Sequence, residues 1–374
     1  MKKTFPLLLL LLPIITFAQY KVTFKLKVAQ ADAQKKIWFA SSLNNWTADA
    51  ANFELKNTND NNFEITMPNC PTNFKGKFTS GSWKTVECTI DEKDISDRVF
   101  SITSDTTIYL EVAAFRQQTV VEKYDVPRSP QVIVINDSFY MPQLNAKRRV
   151  WMYVPKSYNG KKRYPVLYMH DGQNLFDESI AFSGEWGVDE YLDQSKKECI
   201  VIGIDNGSSE RMQEYNAYDN TKFGKGKGKL YADFIVQTLK PYIDKTYATL
   251  KDKNNTFLAG SSMGGLISYY TALKYPNTFG KIGVFSPSFW ICMPEIKKEL
   301  ATSKITTKQD FYFYGGAKES EMLIKEINEI KTGTKQKCPT CETALSISKD
   351  GEHNEKYWQA ALPNFFTWLL ANTK

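Results

Sequence analysis

The pattern of apolar and polar residues changes once along this 374-residue chain. Residues 20–112 carry short runs in which apolar and polar side chains alternate, among them YKVTFKLKV, KKIWFA, NFEITM, NFKGKFT, RVFSIT and TTIYLEV. A period of two is typical of strands with one buried face, and polar turns separate these runs. The pattern predicts a small antiparallel β-sandwich domain over residues 19–115.

From residue 131 onward the apolar runs become nearly continuous, and helical patterns separate them. The runs are PVLYMHDG, CIVIGIDNG, TFLAG, KIGVFSPS and DFYFYGG. Such runs are typical of strands buried on both faces of a parallel sheet. We therefore predict an α/β domain over residues 131–374, joined to the sandwich by a linker at 116–130 that contains DVPRSP.

The first 18 residues have the features of a secretory signal peptide. Lys2 and Lys3 give a charged start, FPLLLLLLPIITF is apolar, and the segment ends at Ala18, a small residue suited to cleavage. A retained anchor is the alternative, but Pro13 and the short apolar run argue against it. No later segment has the roughly 18 uninterrupted apolar residues of a membrane span. We expect an exported protein, periplasmic or secreted, without integral membrane contact.

The charge of the chain does not indicate nucleic-acid binding. The formal net charge is +7 at pH 7, and removing the two signal lysines lowers it from +7 to +5. The densest basic run, KFGKGKGKL at 222–230, interleaves lysine with glycine and carries one aromatic residue, Phe223. We interpret this run as a flexible solvated loop, with an anion-binding role as the alternative.

Six cysteines and two histidines limit the metal chemistry of the chain. Cys338 and Cys341 have CxxC spacing, but no second CxxC exists in the sequence, so no metal site is expected. Disulfides persist outside the cytoplasm. We predict a surface Cys338–Cys341 disulfide, a candidate second bridge between Cys70 and Cys88, and a buried thiol at Cys199.

A serine lies where the strand TFLAG gives way to a helical pattern. Gly260 and Gly264 flank Ser262 in the pattern GxSxG. In a nucleophile elbow the serine adopts a strained backbone conformation, and the glycines let the strand and helix approach closely. The pentapeptide alone is a weak signal, and a plain polar turn is the alternative. The change from strand to helix favours the nucleophile.

A serine nucleophile needs a base and an acid. His353 lies after the serine, between a last strand and the C-terminal helix, as the order serine, acid, histidine requires. We predict that His353 is the base and that His170 is structural. Glu319, directly after DFYFYGG, is the predicted acid. Its rivals are Glu321, at the start of a helix, and Asp350, in the histidine's own loop.

Attack on an ester also creates an oxyanion that needs hydrogen-bond donors. One predicted donor is the backbone N–H of Met263, at the start of the helix after the serine. The other is the N–H of Gln173, in the loop HDGQNLF after an early strand. These groups suffice for hydrolysis through an acyl-enzyme, so no metal or organic cofactor is required.

Several segments of the chain together resemble one known family. They are VLYMHDGQNLFD, GEWGVDEYL, LKPYIDKTY, LAGSSMGGLISYYTALKYP, VFSPSFW and GEHNEKYWQAALPNFFTWLL. The family is the putative-esterase family of α/β-hydrolases, which includes siderophore, feruloyl and acetyl-xylan esterases and mycolyltransferases. The resemblance spans roughly residues 131–372 and implies an α/β-hydrolase fold. It implies the same nucleophile, acid, base and oxyanion hole, and HDGQNLF and SERMQEY are most similar to the siderophore-esterase-like branch.

The predicted sandwich resembles starch-binding-type carbohydrate modules through IWFASSLNNW, FKGKFTSGSWKTVE and ISDRVFSI. The resemblance implies that Trp46 and Trp83 form a sugar-stacking pair and that polysaccharide is a partner. Asp97 stands where such modules often carry an asparagine before the arginine. Packing of the two tryptophans in the domain core is the alternative.

Three functions remain open at this point. The first is an exported serine carboxylesterase acting on carbohydrate-linked (feruloyl or acetyl) or other small esters. The second is a siderophore trilactone esterase, and the third is a carbohydrate-binding protein without enzymatic activity. The loops over the strand ends should determine specificity. Candidate substrate-binding residues in these loops, with packing as the alternative for each, are Trp186, Arg211, Tyr215 and Trp290.

Overall fold

The structure is a computed structural model that describes residues 19–29, 32, 35–44, 46–91, 93, 95–116, 128–182, 184–305 and 307–371. The predicted signal peptide and most of the predicted linker lie outside these residues. The chain divides into two units, Met1–Val121 and Glu122–Lys374.

The described residues of the first unit form an all-β structure. Its strands are β1 (Gln19–Val28), β2 (Ile37–Ser41), β3 (Glu54–Asn59), β4 (Asn62–Pro71), β5 (Asn73–Thr79), β6 (Glu87–Cys88), β7 (Arg98–Ser101), β8 (Thr106–Val112) and β9 (Ala114–Phe115). Seven of them form a sheet in the order β7-β5-β2-β3-β4-β1-β8, and β6 pairs with β9. The all-β prediction is confirmed, but pairing is not wholly antiparallel, because β1 and β8 run parallel.

A cluster of phenylalanines forms the core of the first unit. Alternate residues of β1, including Phe24, are buried as the period-two pattern predicts. The ring of Phe24 lies 4.8 Å from that of Phe100 on β7 and 5.0 Å from that of Phe39 on β2. Strands β1 and β7 are far apart in the strand order, so the sheet must fold over on itself to bring these rings together.

The second unit contains an eight-stranded sheet in the order β10-β11-β13-β12-β14-β15-β16-β17. Its strands are β10 (Val132–Met141), β11 (Ala146–Tyr153), β12 (Val166–His170), β13 (Ile200–Ile204), β14 (Thr256–Ser261), β15 (Lys281–Phe285), β16 (Asp310–Gly316) and β17 (Thr343–Ser348). Strands β10 and β11 are antiparallel additions, and the pairs from β13 to β17 are parallel. The five predicted apolar runs correspond to β12 to β16, so the α/β prediction is confirmed.

Helices cover both faces of this sheet. They are α1 (Val188–Ser195), α2 (Arg211–Glu214), α3 (Gly228–Phe234), α4 (Lys240–Thr246), α5 (Met263–Lys274), α6 (Met293–Thr302), α7 (Glu321–Lys337) and α8 (Glu355–Leu369). A π-helical turn, Ile235–Leu239, joins α3 to α4. Apolar residues of α1 and α8 belong to one buried cluster, and those of α3 to α7 belong to another. None of the described helices is long and apolar enough to cross a membrane.

The cysteines of the described chain confirm two predictions and correct two. Cys338 and Cys341 form a disulfide, but both residues are buried, so the bridge is not at the surface. Cys70 and Cys88 do not form a disulfide with each other, and their thiols lie 3.8 Å from the Met67 carbonyl and 3.7 Å from the Ala114 carbonyl, respectively. Cys199 is a buried thiol, as predicted.

The parallel strands place the predicted site residues at one edge of the sheet. Strands β12, β14, β16 and β17 run in the same direction, so the loops that follow them lie at the same, carboxyl-terminal edge. These loops carry Gln173, Ser262, Glu319 and His353.

Candidate active site

The turn between β14 and α5 holds Ser262 in a strained backbone conformation. Its φ is 57° and its ψ is −121°, a region that residues other than glycine rarely adopt. A Cβ added at Gly260 would lie 2.8 Å from the carbonyl carbon of Gly264, so the strand and helix can approach this closely only with glycine there. The Ser262 N–H donates to the Phe285 carbonyl at 2.9 Å. The turn thus leaves a partly exposed hydroxyl at the end of a buried strand.

A buried carboxylate and a partly exposed imidazole form the second part of the site. His353 Nδ1 lies 2.6 Å from Glu319 Oε2. The Glu319 side chain is 4% exposed, whereas that of His353 is 45% exposed. A carboxylate that accepts a hydrogen bond from Nδ1–H fixes the tautomer and leaves Nε2 free to take a proton. The pair therefore has the chemistry of an oriented general base.

The two rival acids occupy other positions. Glu321 is an exposed residue that begins α7, and the helix is capped by the hydroxyl of Ser320. Asp350 pairs with Lys318 at 2.9 Å. The carboxylate that the structure places on His353 is that of Glu319.

The second oxygen of Glu319 is held by groups that the sequence analysis did not identify. Glu319 Oε1 accepts hydrogen bonds from Ser286 Oγ at 2.6 Å and from the Gly316 N–H at 2.7 Å. The indole N–H of Trp358 donates to Ser286 Oγ at 3.0 Å. Ser286 and Trp358 lie in VFSPSFW and GEHNEKYW, two of the segments that carry the family resemblance, and this was the only signal for them.

The hydroxyl of Ser262 has a neighbour other than the histidine. Ser262 Oγ lies 3.2 Å from Ser288 Oγ, and the structure records no hydrogen bond between the described Ser262 and His353 side chains. A serine hydroxyl can rotate, and catalytic hydrogen bonds often tighten only when substrate is bound. The observed contact is therefore compatible with a later transfer of the proton to His353.

The loop after β12 carries the predicted oxyanion donor. Gln173 lies in a 3-10 turn, Gly172–Asn174, that follows Asp171 in a left-handed conformation. The Arg211 guanidinium contacts both Asp171 carboxylate oxygens, at 2.7 and 2.9 Å. Burial alone would raise the pKa of Asp171, but this guanidinium holds it below its usual value. Met263 begins α5, where backbone N–H groups lack acceptors within the helix.

His170 is a structural residue in this arrangement. It is buried, and its Nδ1 lies 3.0 Å from the Tyr231 hydroxyl. Burial lowers the pKa of the imidazole to about 4, so the ring is neutral at pH 7. Its Cδ2 lies close to the point where a Cβ at Gly260 would stand. The ring thus packs beneath the turn that carries the serine.

Two of the four predicted substrate-binding residues belong to the core instead. Trp186 is 2% exposed and packs between the rings of Phe285 and Trp358. Tyr215 is fully buried against His170, and its hydroxyl accepts a hydrogen bond from the Asp171 N–H at 3.2 Å. These two side chains therefore pack in the core and do not line a substrate pocket.

The other two predicted substrate-binding residues differ from each other. The guanidinium of Arg211 is committed to Asp171, which limits its freedom to bind substrate. Trp290 is 60% exposed and follows Ser288 by two residues. The ring of Phe223, in the basic loop, meets Trp290 edge-to-face with centroids 6.3 Å apart.

Glu355 is a titratable group near the site that the sequence analysis did not identify. It is buried at the start of α8, two residues after His353, and burial raises its pKa to about 7. Asn174 Nδ2 donates to Glu355 Oε1 at 3.1 Å. This contact links the loop after β12 to the helix that follows the histidine.

In the first unit, Trp46 and Trp83 lie side by side and are both partly buried. Their ring centroids are 6.0 Å apart with an interplanar angle of 41°, and Trp83 Nε1 donates to the Trp46 carbonyl at 3.1 Å. Lys75 Nζ lies 5.4 Å from the Trp46 ring centroid and 3.1 Å from Asp97. The rings are neighbours but are not coplanar.

The second unit therefore combines a strained serine, an imidazole held by a buried carboxylate, and N–H groups at a helix start. Among the residues that the structure describes, no group of three or more His, Cys, Asp or Glu side chains could hold a metal ion. This set of groups is suited to nucleophilic acyl transfer.

A family model described as Putative esterase matches residues 141–369, more than half of the chain. The chain belongs to this putative esterase family. As a member, it is a carboxylic ester hydrolase, so the reading of a binding protein without enzymatic activity is corrected. The match does not include the first unit.

Several curated proteins are similar to parts of the chain. The uncharacterized protein YbbA of Bacillus subtilis is 28% identical over 242 residues, which are 61% of this chain and 94% of YbbA. An endo-1,4-beta-xylanase/feruloyl esterase of Xylanibacter ruminicola is 28% identical over 48% of this chain and 24% of its own length. The iron(III) salmochelin esterase of Escherichia coli is 26% identical over 44% of this chain and 39% of its own length.

Among solved structures, the enterobactin esterase FES from Shigella flexneri matches with a TM-score of 0.51 and 16% identity. The match covers 94% of this chain and 93% of that chain. At this identity the likeness shows a shared fold, and it agrees with the predicted α/β-hydrolase architecture of this esterase.

Proposed function

We propose that this esterase hydrolyses carboxylic esters through an acyl-enzyme, with Ser262 as nucleophile, His353 as general base and Glu319 as the acid that orients the base. The observation that carries the proposal is the 2.6 Å hydrogen bond between His353 Nδ1 and Glu319 Oε2. It lies at the sheet edge where the strained turn of Ser262 also ends. Strained backbone of this kind is concentrated at functional sites.

In the proposed reaction, His353 Nε2 takes the hydroxyl proton as Ser262 Oγ attacks the ester carbonyl. The C–O bond to the alcohol breaks, and His353 returns the proton to the departing alcohol. Water then attacks the acyl-enzyme by the same route and releases the acid. The backbone N–H groups of Gln173 and Met263 are the proposed oxyanion donors, and the Asp171–Arg211 pair supports the first of them by fixing its loop.

We propose carbohydrate-linked esters, feruloyl or acetyl, or other small esters as the substrates. The similarity to a xylanase/feruloyl esterase favours this class. Trp290 offers an exposed aromatic ring two residues after Ser288, which contacts the nucleophile, and it meets the partly buried ring of Phe223 edge-to-face. A siderophore trilactone is the second candidate, because the salmochelin esterase is also similar and the basic loop would suit an anionic ligand.

We also propose that the mature protein is exported, to the periplasm or beyond, and that the first unit binds polysaccharide through Trp46 and Trp83. The signal-like residues 1–18 support export. Partial exposure of the two neighbouring rings supports a sugar surface.

Replacement of the nucleophile tests the reaction. Ser262→Ala should lower turnover of p-nitrophenyl acetate by on the order of a million-fold while the fold remains intact. Ser268→Ala is the matched control, because Ser268 is a buried serine in α5 whose hydroxyl donates to the Gly264 carbonyl at 2.8 Å. Retention of more than a few per cent of activity by a clean Ser262→Ala preparation would disprove the assignment.

A substrate panel tests the class of ester. Feruloylated and acetylated xylo-oligosaccharides should be hydrolysed with a higher kcat/KM than catecholate trilactones. The reverse ranking would favour the siderophore reading. Trp290→Ala should reduce kcat/KM most for the aromatic esters, since acetyl groups have no ring to stack on it.

A further inference from the structure

We propose that Ser286 is a positioning residue that fixes the carboxylate of Glu319 in the orientation that His353 requires. This inference rests on the proposed function, in which Glu319 is the acid. Among the described contacts, the Ser286 hydroxyl bonds Glu319 and Trp358, so Ser286 would act on the reaction through Glu319.

The two oxygens of Glu319 have separate partners. Oε2 faces His353 at 2.6 Å, whereas Oε1 accepts from Ser286 Oγ at 2.6 Å and from the Gly316 N–H at 2.7 Å. A glutamate side chain has three rotatable bonds, so one contact to the imidazole would not fix its plane. The two donors on Oε1 do so, and they also stabilise the ionised form.

The direction of the Ser286 hydroxyl is itself set by Trp358. A hydroxyl has one proton and can rotate to suit its surroundings. The Trp358 indole N–H can only donate, and it lies 3.0 Å from Ser286 Oγ. Because the oxygen accepts from Trp358, its single proton is left for Glu319. Ser286 is fully buried and Trp358 nearly so, so water does not compete for these bonds.

The backbone at Ser286 is strained in a way that fits a positioning role. Its φ is 41°, in the left-handed region that glycine adopts more easily. Its N–H donates to the Tyr314 carbonyl at 2.8 Å, which ties it to the strand that precedes Glu319. Glycine would be less strained at this φ, so the strain that a serine side chain adds here agrees with a use for its hydroxyl.

The test combines Ser286 with its target. Ser286→Ala removes the hydroxyl and keeps a Cβ, and Ser286→Gly removes it and relaxes the backbone, which guards against a variant that does not fold. Each should lower kcat on p-nitrophenyl acetate by about 10- to 100-fold with little change in KM, because a hydrogen bond to a charged group is lost. Ser268→Ala controls for the loss of a buried serine hydroxyl elsewhere and should remain fully active.

The decisive experiment is a double-mutant cycle that combines Ser286→Ala with Glu319→Gln. If Ser286 acts through Glu319, Ser286→Ala should alter kcat less than twofold in the Glu319→Gln background, because the acid has already been lost. An equal loss in both backgrounds, or a single variant as active as Ser268→Ala, would overturn the inference. Glu319→Gln with near wild-type activity would instead show that the acid assignment itself is wrong, and the positioning role would fall with it.

Discussion

At the scale of the residue, the choice of the acid can be tested directly. Glu319→Gln should lower turnover by roughly a thousand- to ten-thousand-fold, because the amide no longer stabilises the imidazolium that forms during attack. Glu321→Gln should leave the rate nearly unchanged, since Glu321 is an exposed residue in the first turn of α7. One soluble ester serves both variants, with folding checked by circular dichroism. Inactive Glu321→Gln beside active Glu319→Gln would reverse the assignment.

Glu355 should make the stability of the esterase depend on pH. Burial raises its pKa from 4.5 to about 7, so between these values the folded protein binds more protons than the unfolded chain. The contribution of Glu355 to the free energy of unfolding therefore decreases as the pH rises from about 4.5 to 7, and it stays constant at higher pH. A glutamine stays neutral, so Glu355→Gln should gain stability relative to wild type over this range, by up to roughly 3 kcal/mol.

The measurement is denaturant unfolding of both proteins at pH 5 and pH 8. Glu352→Gln, at an exposed position in the same loop, controls for the amide substitution. A difference between Glu355→Gln and wild type that is the same at both pH values would contradict the prediction.

Single residues also show where sequence reasoning ended. Ser262, Glu319 and His353 could be predicted as a triad because chain order and strand ends restrict such residues to few positions, and the structure brings Glu319 and His353 together. The prediction that Trp186 and Tyr215 bind substrate was wrong, because a large aromatic residue in a loop can either line a pocket or fill the core. Their contacts with Phe285 and His170 come from distant parts of the chain, and no local pattern encodes them.

At the scale of the element, the loop after β12 depends on its ion pair with α2. Arg211→Lys keeps the charge but loses the planar fork that reaches both oxygens of Asp171. We expect kcat/KM on p-nitrophenyl acetate to fall about tenfold, because the loop that carries Gln173 is held less firmly. Arg149→Lys is the control, since that arginine pairs with an exposed Asp137. Equal activity of the two variants would rule out this role for the ion pair.

The burial of each strand explains whether it could be predicted from the sequence. Strands β12 to β16 are almost entirely buried, so each appears as an apolar run. Strand β10 is mixed in burial and its pairing with β11 is irregular. Polar residues such as Asn136 and Asp137 interrupt its apolar run, so the run does not identify this strand.

At the scale of the whole molecule, the proposed catalytic groups all lie in the second unit. A protein of residues 118–374 should therefore retain turnover of p-nitrophenyl acetate within a few-fold of the full chain. Steady-state kinetics on both proteins, with circular dichroism as the folding control, measures this. A well-folded truncation slowed a hundredfold would show that the first unit contributes to the pocket.

The pairing of β1 with β8 shows what whole-molecule features escape the sequence. Both strands carry the alternation that predicts a half-buried strand, yet the pattern of a strand does not identify its partner. The parallel pairing of Val22 with Thr106 joins residues far apart in the chain. The sequence thus predicted the strands of the first unit, but it did not predict all of their pairings.

The proposed catalytic groups follow strands that differ in their protection from solvent. All six residues of β14, which carries the serine, are buried between two neighbouring strands. Strand β17, which precedes the histidine, lies at the end of the strand order and is largely half-exposed. Amide deuterium exchange should accordingly be slowest in β14 and faster in β17. On mild heating, the loop that carries His353 would become disordered while the turn at Ser262 is still intact. The enzyme would therefore lose activity at a temperature below that at which its core unfolds.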